Sequence, residues 1–155
     1  MNVRHDMVAC YVVRPDAWGV SHEFLQLRRA KGDYMGGTWQ IVRGTSEAGE
    51  TAVQAALREL REEAGLVPEE FFRLSHLESF YIAAEETIWH CPAFCAVVGR
   101  EADVRLNAEH DAVRWVPRAE IAAATMWASE KLATDDLCRN ILDNGPAKPY
   151  LRIEW

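Results

Sequence analysis

Between Gly44 and Leu66 the chain reads GTSEAGETAVQAALRELREEAGL. Thr51 with Gln54 three residues on fits a capping box, and Gly65 stands where a left-handed C-cap is wanted, so the stretch predicts a helix from about Thr51 to Ala64. At about 100° per residue, Glu59, Glu62 and Glu63 fall within roughly 100° of arc. Val53, Ala56, Leu57, Leu60 and Ala64 cluster on a neighbouring arc, an apolar stripe suited to packing on a sheet. Three carboxylates are thus pinned to one face of an anchored helix. Like charges at this spacing oppose the helix by about 0.2–0.5 kcal/mol per pair. Arg58 and Arg61 relieve part of this. A hard divalent cation would relieve more, since Mg²⁺ binds through carboxylates together with substrate phosphates.

Around this helix the pattern is of strands. Val8–Val13 is an apolar, β-branched run and reads as a buried strand. His22–Arg29 reads as a second, with Leu25 and Leu27 on one face and Phe24 and Gln26 on the other. Lys31–Gly37 is a glycine-punctuated loop, and Trp39–Val42 a short third strand ending before Gly44. Leu74–Ile82 and Thr87–Val98 predict a hairpin, with Pro92 marking an edge strand or a bulge. Ala112–Val116 is a further short strand, followed at Pro117 by a helical turn. Ala128–Leu142 reads as a second long helix stopped by Asn144, Gly145 and Pro146. Strands flanking two helices imply an α/β sandwich with a mixed sheet in one domain over residues 1–155.

Composition bounds the function. Apolar residues make up 49% of the 155 residues and charged residues 26%, enough for a true core and inconsistent with overall disorder. Lys plus Arg number 17 against 24 Asp plus Glu, a net charge of −7 that lacks the basic face of a duplex-DNA binder. No apolar run approaches the roughly 18 residues of a membrane span, and the first residues carry no secretory pattern, so a cytoplasmic setting is expected. The four cysteines, Cys10, Cys91, Cys95 and Cys138, contain no C-x-x-C pair and are expected as free thiols.

Read in order, the helical segment holds Gly44, Glu50, Arg58-Glu59-Leu60, Glu62-Glu63 and Gly65-Leu66. It resembles the Nudix box at all nine of its specified positions. A looser similarity extends toward bacterial dATP and dihydroneopterin triphosphate pyrophosphohydrolases through Leu27-Arg28-Arg29, Trp39-Gln40, Glu109-His110 before Trp115, and Trp127. One departure is that Val42-Arg43-Gly44 stands where many members enter the box with Pro-Gly-Gly. The resemblance implies a Nudix-type α/β/α sandwich and Mg²⁺-dependent hydrolysis, with Mn²⁺ able to substitute. The substrate implied is a nucleoside or pterin triphosphate cleaved to monophosphate and pyrophosphate, with no nucleic-acid duplex and no membrane as partner. A monomer or a homodimer is equally compatible.

The resemblance and the chemistry together assign roles. Glu59 and Glu63 are the expected direct metal ligands, and Glu62 a third ligand or one acting through water. Gly44 would permit a tight loop, letting the Arg43 or Gly44 carbonyl approach the metal. Glu50 and Arg58 brace the loop on the helix. Glu109, in a polar loop, serves the metal or the attacking water, or is a plain surface carboxylate. Arg4, Arg29 and Arg43 are candidate phosphate cations, and Trp127 a candidate base-stacking platform. His90 and His110 are read as packed or solvated. Two rivals share this sequence logic: a non-catalytic nucleotide sensor, and an isopentenyl diphosphate isomerase-like enzyme, for which Cys10 would have to be reactive.

Overall fold

The computed structural model describes residues 1–155. The apolar run at Val8–Val13 lies inside β2 (Met7–Pro15), which pairs in parallel with β7 (Thr87–Val97). Both are buried on two faces, as near-continuous apolar strands should be. The first half of β2 pairs antiparallel with β5 (Val42–Thr45), and its end pairs with β3 (His22–Arg29). β3 then carries β4 (Trp39–Gln40) and β8 (His110–Pro117), with a register irregularity at Arg28/Arg29. The opposite edge of β7 is taken by antiparallel β6 (Glu70–Ile82), while β1 (Asn2–Arg4) pairs in parallel with the start of β7 on the same edge as β2. The result is an eight-stranded mixed sheet.

Helix α1 (Ala52–Ala64) packs on β2 and β5 and closes one core, with Val8, Leu25, Leu27, Leu60 and Phe71 among its members. The opposite face is covered by α2 (Ile121–Ala124), α3 (Ala128–Leu137) and the C-terminal α4 (Lys148–Leu151), around Tyr11, Phe24, Phe72 and Leu137. The α/β/α sandwich expected from the sequence is therefore present. Alternation along β3 divides as read: Leu25 and Leu27 enter the α1 core, and Phe24 the other. No helix is long and apolar enough to cross a membrane.

Several elements differ from expectation. The expected strand at Trp39–Val42 is two strands broken at Ile41, and the second runs on through Gly44 to Thr45, because it leaves β3 and joins β2. Pro92 lies not on an edge but in β7, a central strand, between the stretches paired with β1 and β2. There it faces Leu77 beside a bulge in β6, so its missing N–H breaks no regular ladder. The expected helix over 128–142 is α-helical only to Leu137 and continues as a π-helical turn, Cys138–Leu142.

The capping box of α1 is formed in both directions, Gln54 N–H to Thr51 Oγ1 at 3.2 Å and Thr51 N–H to Gln54 Oε1 at 2.9 Å. Gly65 closes the helix at φ 67°, and a Cβ there would stand 3.0 Å from Arg105 Cβ. Gly65→Ala should destabilise the fold by about 1–2 kcal/mol, from left-handed strain with this close contact added. Urea unfolding should show a lower midpoint at unchanged slope, and an unaltered midpoint would refute the account.

Candidate active site

Arg58 is the hinge of the α1 carboxylate face. Its Nε and Nη2 donate to the two oxygens of Glu50 at 2.8 and 3.0 Å, and Nη2 also reaches the Thr45 carbonyl at 2.8 Å. Nη1 donates to Glu59 at 2.9 Å and Glu62 at 3.2 Å. Glu50 in turn accepts the Glu47 N–H at 2.8 Å. The hydrogen bond from Arg58 holds the half-buried Glu50 carboxyl below its usual range. The loop Ser46–Glu50 is thereby strapped to the helix through Glu50 and Arg58.

Gly44 serves a different end from the one its sequence position suggested. It makes no tight loop but lies within β5, opposite Val8. A Cβ at this position would overlap the carboxylate of Glu59. The glycine is there to let Glu59 lie flat against the strand.

Glu63, one turn on from Glu59, is buried, and its Oε2 has no hydrogen-bond partner. Its carboxyl is pushed up to about 8, first by burial and then by the charges of Glu59 and Glu109, against the lesser pull of the Arg43 backbone and Arg29. Glu59 is raised too, by burial, against the opposing Arg58 contact, with Glu62 and Glu109 adding repulsion. Glu109 is exposed in the loop before β8, with its N–H on Asn107 Oδ1 at 3.1 Å, yet its field reaches both helix carboxylates. Glu62 is 54% exposed and turned to Arg58.

No three His, Cys, Asp or Glu side chains converge closely enough to hold an ion in this arrangement, since Arg58 draws Glu59 and Glu62 to itself. The donor chemistry nevertheless fits a hard divalent cation. Glu59, Glu63 and Glu109 are oxygen donors that repel one another, and one buried oxygen is left without a partner.

Glu63 and Gly44 stand at one end of a cavity of about 540 Å³. Arg29 and His110 line the same end, and each carries a buried nitrogen, Arg29 Nε and His110 Nδ1, with no partner. The register irregularity at the end of β3 is what sets Arg29 beside His110. His110 is held below the ordinary imidazole range by burial and by the charge of Arg29.

The other end is lined by Ile41, Phe80, Trp127 and two carboxylates, Glu78 and Glu130, that the sequence reading missed. Trp127 is 53% exposed and precedes α3. Arg43 lines the cavity but is not a free phosphate cation. Its Nη2 donates to Glu78 at 2.8 Å, lies 3.7 Å from Glu130, and its Nη1 meets Cys91 Sγ at 3.5 Å. Tyr11 Oη donates to the other Glu78 oxygen at 2.6 Å. Glu78 was findable: it falls on the same alternating face of its strand pattern as Leu74 and Phe80, where a carboxylate is out of place. Glu130 gave only a helix-cap signal.

Arg4 is not brought to the cavity. β1 carries it along β7, where it pairs with Asp6 at 2.5 Å and stacks over Trp89 at 4.2 Å. Trp39 and Trp115 are half-buried, under Arg114 and Arg14 respectively. All four cysteines are free, as expected.

This fold and carboxylate-lined cleft belong with the comparisons to known proteins. The NUDIX domain family model matches residues 3–137, and the chain belongs to that family. A stretch of 82 residues is 45% identical to an octanoyltransferase of Myxococcus xanthus, covering 52% of this chain and 23% of that one. A putative 8-oxo-dGTP diphosphatase 3 of Mycobacterium tuberculosis is 34% identical over 110 residues, 70% of this chain and 49% of its own. This chain thus spans about half or less of the length of these curated relatives. Among solved structures, an Ap4A hydrolase binary complex from C. elegans superposes with a TM-score of 0.73 at 22% identity, over 91% of this chain and 98% of that one. The dihydroneopterin triphosphate pyrophosphohydrolase of E. coli superposes at 0.70 and 24% identity, over 91% and 95%. At these identities the structures establish a shared fold.

The raised Glu63 carboxyl makes stability of the metal-free protein depend on pH. An ordinary carboxyl near 4.5 in the unfolded chain and one near 8 in the folded chain means the folded state binds the proton more tightly. Its contribution is complete below pH 4.5 and is lost as pH rises to about 8, at most roughly 1.4 kcal/mol per pH unit in that window. With a chelator present, Tm should fall across this range, and Glu63→Gln should flatten most of the fall. The shallower dependence left over belongs to Glu59 and Glu130. Parallel curves for the two proteins would show that Glu63 is not desolvated as described.

Proposed function

We propose that this protein is a Mg²⁺-dependent pyrophosphohydrolase that cleaves a nucleoside or pterin triphosphate to the monophosphate and pyrophosphate. The observation that carries this reading is the unpartnered, buried Glu63 oxygen among mutually repelling carboxylates, at one end of a cavity whose other end is aromatic. Such a cavity matches a substrate that is polyanionic at one end and a flat ring at the other. The diphosphatase and pyrophosphohydrolase named among its relatives and fold neighbours agree with it.

Glu59 and Glu63 would hold the cation, with Glu109 completing the set. When bound, the ion supplies Lewis acidity and neutralises phosphate charge. Arg29 donates its free Nε–H to a phosphate oxygen, an interaction for which guanidinium geometry is suited. His110, neutral at physiological pH because it is buried beside Arg29, offers Nδ1 without adding charge. Glu109, exposed where Glu59 and Glu63 are not, takes the proton of the attacking water at its carboxylate oxygen. Arg58 opposes the upward pull of burial on Glu59 and orients its carboxylate, a positioning role.

The isomerase-like alternative loses its support at Cys10. That side chain is 1% exposed within β2, and burial pushes its thiol far above the range in which a thiolate forms.

Two measurements test the reading. Incubation of triphosphates with Mg²⁺ should yield monophosphate and pyrophosphate, whereas release of inorganic phosphate alone would overturn the assignment of the cleaved bond. Glu109→Gln should lower kcat by about 10²-fold or more, and Glu63→Gln should lower rate and metal affinity together by about 10²–10³. If both variants stay folded and turn over within a few-fold of the native protein, the carboxylates are structural and the cavity belongs to a non-catalytic nucleotide sensor.

A further inference from the structure

The aromatic end of the cavity carries a charge imbalance that the hydrolytic chemistry does not use. Glu78 and Glu130 are both buried, at 1% and 5% exposure, and Arg43 is the one cation between them. Glu78 is fully engaged: Arg43 donates to one oxygen and Tyr11 to the other. Glu130 is not. Its Oε2 accepts the Trp127 N–H at 3.3 Å, while its Oε1 has Arg43 only at 3.7 Å, beyond hydrogen-bond reach. Arg43 gives its short contact to Glu78 through Nη2 and turns its second terminal nitrogen to Cys91. Glu130 thus lines the cavity with one oxygen, Oε1, that no protein group serves within hydrogen-bond distance. Phe80 and Trp127 line the same cavity, and Trp127, 53% exposed, has aromatic surface left for a flat ring.

Resting on the hydrolase reading above, we propose that Glu130 is a specificity-determining residue that selects the heterocycle of the substrate, favouring rings that present two adjacent N–H donors. Guanine, through N1–H and its 2-amino group, and a pterin, through N3–H and its 2-amino group, have this edge. An ionised carboxylate only accepts hydrogen bonds. Adenine and cytosine set an acceptor next to their amino donor, and uracil has a single donor between two carbonyls, so each turns at least one lone pair toward Glu130. A site built on a buried acceptor discriminates strongly against rings that cannot satisfy it. The Arg43–Glu78–Tyr11 set keeps the only nearby cation from taking the place of those donors.

Monophosphates, which are products on the proposed reading, allow a test by calorimetric binding to the Mg²⁺-loaded protein without turnover. GMP and neopterin monophosphate should bind at least about 10-fold tighter than AMP, CMP and UMP. Glu130→Gln keeps an oxygen for the Trp127 N–H but brings a donor to the ring edge, and should erase the preference. Glu130→Asp keeps the charge near Arg43 and withdraws it from the ring, with the same expected loss, so one folded variant suffices. Equal affinities in the native protein, including none measurable at millimolar concentration, overturn the proposal, as does a preference that survives in a folded variant. The two readings fail separately. Ring discrimination without triphosphate hydrolysis would remove the hydrolase reading and leave the role of Glu130. Hydrolysis of all triphosphates at equal kcat/KM would do the reverse.

Discussion

The carboxylate face of α1 hangs on the Arg58 guanidinium. One planar fork joins the Glu50 side chain, the Thr45 carbonyl at the end of β5, and the Glu59 and Glu62 carboxylates of α1. It therefore ties loop, strand and helix at a single point, with geometry that a flexible ammonium could not reproduce. The strap also fixes the distance between α1 and β5, and that distance explains Gly44: the Glu59 carboxylate lies so near the strand that no side chain fits beneath it. An arginine, a glycine and a glutamate from three elements are thus one mechanical unit. Replacing any member moves the other two.

Glu63 shows what this unit is set against. Its neighbours on the helix are Ala55, Ala56, Leu60 and Ala64, all buried, so the packing that anchors α1 also carries Glu63 out of water. Arg58 serves Glu59 and Glu62 and does not reach Glu63. The fold accordingly tolerates a carboxyl pushed up to about 8 in the middle of its carboxylate face. Local violations of good packing chemistry of this kind mark sites where a ligand supplies the missing partner. Stability is withheld at Glu63 and concentrated a single turn away.

What the sequence made legible follows the range of the forces involved. Helix α1 was readable with both caps because the capping box, the left-handed glycine and the apolar stripe are all local. β3 was readable for the same reason, its alternation being complete within eight residues. β1 and the break at Ile41 were not, since both depend on which distant strand accepts the chain: β1 on β7, and β5 on β2 rather than β3. Arg43 is the sharpest case. Beside a phosphate-type motif it reads as a phosphate cation, but Glu78 lies 35 residues away and reaches it through the β2–β7 pairing. Glu130 was hidden by a cap pattern, because a single carboxylate can cap a helix with one oxygen and line a cavity with the other.

The loss of Arg43 as a phosphate cation changes the electrostatic problem of the whole site. The chain carries a net charge of −7, and Glu63, on the cavity wall, is repelled by the nearby charges of Glu59 and Glu109. Arg29 is then the one guanidinium that lines the cavity with a nitrogen still free to donate. A single cation does not offset three carboxylates and a triphosphate together, and such an anion would be repelled from the protein by itself. On the proposed reading, substrate and divalent ion therefore bind with strong positive coupling, each supplying the charge the other needs. The aromatic end faces no such difficulty, because its excess negative charge is a single carboxylate that neutral N–H donors satisfy. The cavity thus divides recognition by charge: at one end affinity comes with the ion, and at the other selectivity comes from hydrogen-bond donors on an uncharged ring.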